Sequence, residues 1–322
     1  MNVNNMKKIL IISDPLEKFR ITGDTTYLLM LTAHDLGFEI YQCQPENLFA
    51  LGNQAYAKIN RIDINHSLQN IHNDTPWYTK TNTLTDYNLA SIDIIMVRND
   101  PPFNMEYYYL TQILELAERN GAKVINPAST LRNFNEKLAI LNFPELITPT
   151  LVSRGKEIIN QFIAKHDICV AKPIDMMAGR GVFRVSTDDP NQAAILENLT
   201  NYFSQTIMVQ KFIPEVVNGD KRIFIINGQV IDYCLYRIPQ GGQIRGNLAV
   251  GGRGEVHPLT NDDYHIAGKV AEWLVKNNII FAGIDVIGKC LTEINITSPT
   301  GAQQILHESG INVTELLLKA VS

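Results

Sequence analysis

The hydrophobic pattern opens with KKILIIS at residues 7–13, a continuous apolar run of strand length stopped by Asp14-Pro15. Residues 24–36 carry apolar positions at helical spacing and close at Gly37. Residues 38–42 read as a second strand. Residues 92–98, IDIIMVR, read as a third, halted by Asn99-Asp100-Pro101-Pro102. A helical pattern over 106–119 ends at Asn120-Gly121, and 123–126 form a short strand. Strand, helix, strand in this order predicts a parallel α/β domain through residue 128. Residues 52–90 are polar and irregular, and their pattern assigns no element.

The pattern changes from residue 129 to 322. Residues 168–173 and 207–213 read as strands. Residues 221–236 read as a hairpin folded at Asn227-Gly228, a dipeptide that suits a two-residue turn. Residues 262–276 form an amphipathic helix, and 281–297 a second hairpin folded near Gly288. Antiparallel strands mixed with helices predict α+β architecture here.

Composition narrows the function. The chain has 322 residues, 45% apolar and 19% charged, an ordinary globular balance. A net charge of −5 argues against a nucleic-acid partner. No apolar run approaches the roughly 20 residues needed to span a bilayer. The first residues lack the apolar core and cleavage site of a secretory signal. Cys43, Cys169, Cys234 and Cys290 are scattered and form no Cys-x-x-Cys pair, which reads as buried thiols in the cytoplasm.

Four groups of residues carry candidate chemistry. The first is EINITSP, 293–299. Glu293 and Asn295 share a strand face, and Asp285 lies on the partner strand, a hard-oxygen set of the kind magnesium takes. Their apolar neighbours Ile284, Val286, Ile294 and Ile296 place the other face in a core. Asp285 and Glu293 face one side only if 285 pairs with 293. That requires a three-residue loop, Gly288-Lys289-Cys290, or an equivalent bulge in place of the commoner two-residue turn. The second group is Lys137 and Lys172. Lys137 alone reads as a solvated charge. Lys172 sits in the apolar run DICVAKPI and needs an anionic partner, either a nucleotide phosphate or a structural carboxylate.

The third group is glycine. DMMAGRGVF, 175–183, joins two strand-like pieces and offers backbone N–H groups to phosphates, although it is neither a P-loop nor a dinucleotide fingerprint. IPQGGQIRGNLAVGGRG, 238–254, holds six glycines and two arginines in seventeen residues. It reads as a lid that closes on an anion and is mobile without ligand. The fourth group is arginine. Arg98 ends a strand, and Arg222 and Arg237 lie on the 221–236 hairpin and its exit. Each alone reads as a surface ion pair, and together they suit carboxylate or phosphate recognition.

The order Lys137, Lys172, a glycine turn, QKFI at 210–213, Asp220, then Asp285, Glu293 and Asn295 resembles the ATP-grasp ligases. MVRNDPPFN, GDKRIFIINGQ, YRIPQGGQIRGNLAVGGRGE and LTEINITSPTG resemble the prokaryotic glutathione synthetases within them. The resemblance runs from about Ile9 to the end. It implies a Rossmann-like N-terminal domain over 1–128 and an ATP-grasp domain over 129–322. The latter divides into a central subdomain to about 213 and a C-terminal subdomain carrying the lid.

By the same resemblance, Lys137 and Lys172 grip ATP phosphates beside Gly179 and Gly181. Gln210, Lys211, Phe212 and Ile213 hold adenine, and Asp220 touches the ribose. Asp285, Glu293 and Asn295 bind two Mg2+ ions, with Mn2+ as a substitute. Arg98, Arg222, Arg237, Arg245, Arg253, Ser298 and Thr300 surround the peptide, with Arg222 and Arg237 catalytic. The implied substrates are γ-glutamylcysteine, glycine and ATP, and the implied assembly is a homotetramer. Another ATP-grasp ligase, joining two D-alanines or adding glutamate to a peptide, and a non-catalytic ATP-binding regulator of synapsin type remain as alternatives. Three positions depart from the family pattern: Met176 and Ala178 where glycine is usual, and Gln303 where arginine is expected, so that one anion contact is missing.

Overall fold

Strand β1 (Lys8–Ile12) is buried along nearly its whole length, and the chain returns to its side through helix α1 (Thr25–Asp35) as β2 (Glu39–Cys43). These and all following elements come from a computed structural model, which describes residues 6–68, 76–99, 102–177, 179–241, 246 and 251–322. Asp24 caps α1 by accepting from the backbone of Thr26 and Tyr27, the usual duty of an aspartate at this position. Strand β6 (Ile94–Val97) pairs parallel with β1, helix α2 (Met105–Arg119) follows, and β7 (Val124–Ile125) pairs parallel with β6. The parallel core expected from the sequence is present.

The sheet is larger than its parallel core. Strands β3 (Leu48–Leu51), β4 (Gln54–Ile64) and β5 (Tyr78–Asn88) add an antiparallel flank, with order β3-β4-β2-β1-β6-β7 and β5 also on β4. Strand β4 buries Ala55, Ala57, Ile59, Ile62 and Ile64. Irregular pairing between residues 57 and 59 and between 61 and 62 breaks the alternation. The small alanines and these bulges hide a strand from a reading that looks for a strict two-residue period.

After helix α3 (Ala128–Asn133), strands β8 (Thr150–Ser153), β9 (Ile168–Pro173), β10 (Phe183–Ser186) and β11 (Ile207–Lys211) form an antiparallel sheet in the order β10-β9-β11-β8. Helices α4 (Lys156–His166) and α5 (Gln192–Leu199) cover it, and Ile159, Ile163, Cys169, Val185, Leu196 and Val209 make its core.

The third sheet has the order β14-β13-β12-β15-β16, built from β12 (Asp220–Ile226), β13 (Gln229–Ile238), β14 (Arg253–Pro258), β15 (Phe281–Ile287) and β16 (Cys290–Asn295). Asn227 and Gly228, both at positive φ, make the expected two-residue turn between β12 and β13. Helix α6 (Asn261–Lys276) packs Ile266, Val270 and Leu274 into one core with Ile223, Ile284, Val286 and Ile294 of the sheet. The opposite face changes character along its length. Phe224, Leu235 and Phe281 pack with helices α7 (Ala302–Ser309) and α8 (Val313–Val321), while the other end carries charge.

Side-chain hydrogen bonds tie this part of the chain to the N-terminal part. Asn126 accepts from Ile280 N and Phe281 N and donates to the carbonyls of Phe281 and Ile296, so its amide is used on both sides. Helix α8 meets α1 through a 2.7 Å hydrogen bond between the hydroxyls of Thr32 and Thr314.

Candidate active site

Register builds one wall of the site. Asp220 on β12 faces Arg237 on β13, Arg222 faces Asp285 on β15, and Asp285 faces Glu293 on β16. Residues 220 and 222 are two apart, so their side chains leave the same face. The turn between β15 and β16 has two residues, Gly288 and Lys289, because 287 pairs with 290. A bulge at Thr292 then brings Glu293 opposite Asp285. Of the two solutions expected for this hairpin, the bulge is the one used, and Thr292 Oγ1 secures it by donating to the Asp285 carbonyl at 3.1 Å.

The charges on this wall are paired. Arg222 donates to both oxygens of Asp285, at 2.6 and 3.0 Å, and to the Thr300 carbonyl at 3.2 Å. Arg237 donates from Nε to Asp220 at 2.6 Å, and its Nη2 lies 2.7 Å from Asp285 Oδ2. Burial alone would raise the Asp285 carboxyl, but Arg222 and Arg237 pull it down to about 2. Burial works against Arg237 as a cation too, and Asp220 and Asp285 reverse that, raising it above its ordinary value. Asn295 Oδ1 accepts from Thr297 N and Ser298 N, which shapes the turn carrying Ser298. Gly283 has a role that sequence reading missed. A Cβ there would lie 2.8 Å from Arg222 Cδ and 2.7 Å from Pro299 Cβ, so only glycine lets Arg222 cross β15.

The opposite wall holds the lysines. Lys172 on β9 is 9% exposed and makes no hydrogen bond or ion pair among the described residues. Burial lowers its ammonium to about 8, with Glu293 and Asp285 opposing that shift and Lys137 adding to it. Asn135 Oδ1 accepts from the backbone of Lys137 and Leu138, and its amide donates to the Ile174 carbonyl, which fixes the turn bearing Lys137 beside the glycine loop. Lys137 Nζ donates to the Met176 carbonyl and stands 4.0 Å from Glu293. Glu136, which sequence reading also missed, is raised to about 8 by burial and by Glu293. Its backbone carbonyl receives Ile294 N, fastening this turn to β16.

The walls enclose a cavity of about 280 Å³. It is lined by Lys137, Lys172, Gly179, Gln210, Lys211, Phe212, Ile213, Asp220, Arg222, Arg237, Asp285, Glu293, Asn295, Ser298 and Thr300, together with Met176 and Arg180. Gly179 and Gly181 both take positive φ, and the space beside Gly181 is closed by Pro173. Gly246 reaches the same cavity from the 238–254 segment. Arg245 and seven other residues of that segment, 242–244 and 247–250, lie outside the described residues, and so does Ala178.

Two expected substrate residues stand elsewhere. Arg98 is buried and donates to Thr26 Oγ1 and the Pro299 carbonyl, joining α1 to the 297–300 turn. Arg253 opens β14, largely exposed and paired with Glu255 at 2.7 Å. Gln303 accepts from Gly23 N and donates to the carbonyls of Ile21 and Asp24. At 1% exposure it staples the 21–24 loop to α7 and has no face toward the cavity.

Two sheets close on a cavity with buried lysines on one side and an arginine–carboxylate cluster on the other, and the class is that of an ATP-grasp enzyme, which uses ATP to form a carbon–nitrogen bond. Solved structures share this fold. D-cycloserine synthetase superposes with a TM-score of 0.67 at 14% identity, covering 97% of this chain and 98% of that one. D-alanyl-alanine synthetase A from Vibrio cholerae gives 0.59 at 15% identity, covering 98% and 97%. Residues 7–132 match the family described as prokaryotic glutathione synthetase, N-terminal domain, and residues 136–310 match its ATP-grasp domain. The chain is 43% identical over 317 residues to a glutathione synthetase of Neisseria meningitidis serogroup B, covering 98% of each. It is 40% identical over 314 residues to one from Nitrosomonas europaea, covering 98% of this chain and 97% of the relative. The chain belongs to the prokaryotic glutathione synthetase family.

Proposed function

We propose that this chain joins γ-glutamylcysteine to glycine with hydrolysis of ATP to ADP and phosphate. A carboxylate and an amine do not condense unaided. Transfer of the γ-phosphoryl group to the peptide carboxylate makes an acyl phosphate, and attack by the glycine amine expels phosphate. The chemistry needs no protein nucleophile, only positioning and stabilisation of charge. Lys137 and Lys172 hold the phosphates, and Lys137 exchanges the Met176 carbonyl for a phosphate oxygen. Gln210 to Ile213 border the adenine. Arg222 and Arg237 neutralise the substrate carboxylate and the oxyanion that develops on it. Ser298 and Thr300 border the peptide, with Arg98 behind them. Arg245 and Arg253 act in the lid, which keeps water from the acyl phosphate.

The observation that carries this reading is the meeting, in one cavity, of Lys172, whose ammonium has no partner among the described residues, with the Arg222–Asp285–Arg237 cluster. Asp285, Glu293 and Asn295 form a hard-oxygen set fitting two magnesium or manganese ions. Among the described residues no three His, Cys, Asp or Glu side chains gather as a closed metal site, and phosphate oxygens complete the coordination in this reading. Held by Asp285, Glu293 and Asn295, magnesium would supply charge neutralisation for the phosphates.

A boundary near residue 128 and a central subdomain ending near 213 are part of this reading; the family matches stop at 132 and resume at 136, a few residues beyond the first of these. Among the described residues no helix is long and apolar enough to cross a membrane. A cytoplasmic homotetramer is part of the proposal, and sedimentation of the purified chain checks the assembly. The deciding experiment is coupled ADP release. Rapid release is expected only with γ-glutamylcysteine, glycine and Mg2+ together. Turnover with two D-alanines and none with γ-glutamylcysteine overturns the assignment, as does ATP binding without any turnover.

A further inference from the structure

The eight methionines of the chain do not share one environment. Met30, Met96 and Met208 are at most 1% exposed, deep in the cores. Met6 and Met105 are exposed, but neither lines the cavity. Among the described methionines, only Met176 and Met177 combine access to solvent with a place in the cavity wall. Met176 is 48% exposed and Met177 is half-buried. Packing shields a core thioether from aqueous oxidants, whereas the thioether of an exposed methionine is open to them.

Met176 is also tied to the wall that carries the lysines. Lys137 Nζ donates to its backbone carbonyl. The ammonium assigned above to a nucleotide phosphate therefore lies against the residue whose side chain is exposed. Asn135 fixes the turn bearing Lys137, and Arg180 N donates to the Met177 carbonyl at 3.1 Å. The segment that presents Met176 is thus held by its backbone on both sides. The thiols are poorer targets for an oxidant. Cys43, Cys169 and Cys234 are buried and Cys290 is partly so. Burial raises all four, which keeps the reactive thiolate scarce.

We propose that Met176 is a modification site, at which hydrogen peroxide converts the thioether to a sulfoxide and thereby weakens nucleotide binding. The inference rests on the ATP-dependent ligase reading above. A sulfur lone pair takes the near oxygen of the peroxide as the O–O bond breaks. The far oxygen leaves as hydroxide and collects the proton shed by the first, so one thioether and one peroxide give one sulfoxide and one water. Sulfur is oxidised and the peroxide oxygens are reduced. The product side chain is polar and carries an acceptor oxygen. Beside Lys137 that oxygen competes with phosphate for the ammonium. A bound nucleotide in turn covers the thioether and slows its oxidation. Methionine sulfoxide reductases reverse the change.

The test treats wild-type protein, Met176→Leu and Met177→Leu with hydrogen peroxide, with and without a non-hydrolysable ATP analogue and Mg2+. Catalase then removes the oxidant, and dithiothreitol returns oxidised thiols while leaving sulfoxides in place. Peptide mass spectrometry locates the added oxygen. Calorimetry gives the Kd of the analogue, each protein being compared with its own untreated state. In the wild type, Met176 is expected to oxidise along with exposed Met6 and Met105, and several-fold more slowly when the analogue is bound. Full conversion at Met176 is expected to raise the Kd about 10-fold, and sulfoxide reductase to restore it. Met177→Leu should show the same rise and Met176→Leu should not. A rise that persists in Met176→Leu overturns the inference. So does an unchanged Kd in wild-type protein carrying the sulfoxide at Met176, or an oxidation rate there that the analogue does not alter. Untreated protein that binds no analogue fails the ligase reading itself. Normal binding that peroxide leaves untouched fails this inference alone.

Discussion

On the cavity wall built by β12, β13, β15 and β16, Asp220, Arg237, Asp285 and Arg222 form a continuous chain of opposite charges through successive contacts of 2.6 to 3.0 Å. On the wall carried by β9 and the turn at Lys137, Lys172 makes no hydrogen bond or ion pair among the described residues, and Lys137 has only a backbone carbonyl nearby and a carboxylate at 4.0 Å. Both walls bury charge. The first compensates it internally and is organised before any ligand arrives. The second leaves the cost of desolvation standing, and only an anion from outside removes it. One side is therefore built to orient a substrate, and the other to gain from binding phosphate.

The sharpest way to break this contrast is to remove the hub of the paired wall. Asp285→Ala leaves Arg222 and Arg237 buried without their shared carboxylate. It is expected to lower folding stability by about 3–5 kcal/mol, read by urea denaturation, and to abolish ligation. Stability within about 1 kcal/mol of wild type would mean that the pairing contributes little.

Lys172→Met asks the same of the other wall and predicts the opposite balance. A buried charge without a partner is removed, so stability holds or rises. Nucleotide affinity falls by about 1.5–3 kcal/mol, the range for a hydrogen bond to a charged group. Calorimetric titration beside a denaturation curve separates the two effects. A variant that unfolds easily yet binds ATP normally would make Lys172 structural.

The same lysine predicts a proton linkage. In the free protein its ammonium titrates near 8, below the ordinary lysine value of 10.5. A bound phosphate favours the charged form and raises that value. Between about pH 8 and 10.5 nucleotide binding therefore takes up a proton, and affinity declines as pH rises through this window. Titrations near pH 8.5 in two buffers of different ionisation enthalpy should show uptake of up to about one proton, and Lys172→Met should abolish it.

The smallest effect is expected far from the charges. Gly228→Ala puts a side chain at φ +77 in the β12–β13 turn, 2.7 Å from Val275 Cγ2. A cost of about 1–2 kcal/mol in stability is expected, with KM and kcat unchanged. A change in substrate affinity would mean that the hairpin transmits strain from its turn to Arg222 and Arg237.

Local signals in the sequence were legible where one short stretch settles the outcome. Asn227-Gly228 specified a turn because both residues tolerate positive φ. Ile284, Val286, Ile294 and Ile296 specified a core face because side chains alternate along a strand. The oxygen donors Asp285, Glu293 and Asn295 were visible as residue types at strand spacing, and Lys172 stood out as a charge inside an apolar run. The bulges of β4 erased the alternation that would have announced that strand, which left 52–90 unread.

The chain by itself thus determined which side chains are available, where its clear turns fall, and which faces are apolar, since each follows from the preferences of a few neighbouring residues. The tertiary structure alone decided which charges are paired. Arg222 meets Asp285 and Arg237 meets Asp220 through strand register, while Arg98 and Gln303 are drawn into contacts between α1, α7 and the 297–300 turn. A side chain's charge is written in the sequence. Its partner and its solvent are set by residues that reach it from distant parts of the chain, and those decide whether it serves as a staple, a paired anchor or a binding group.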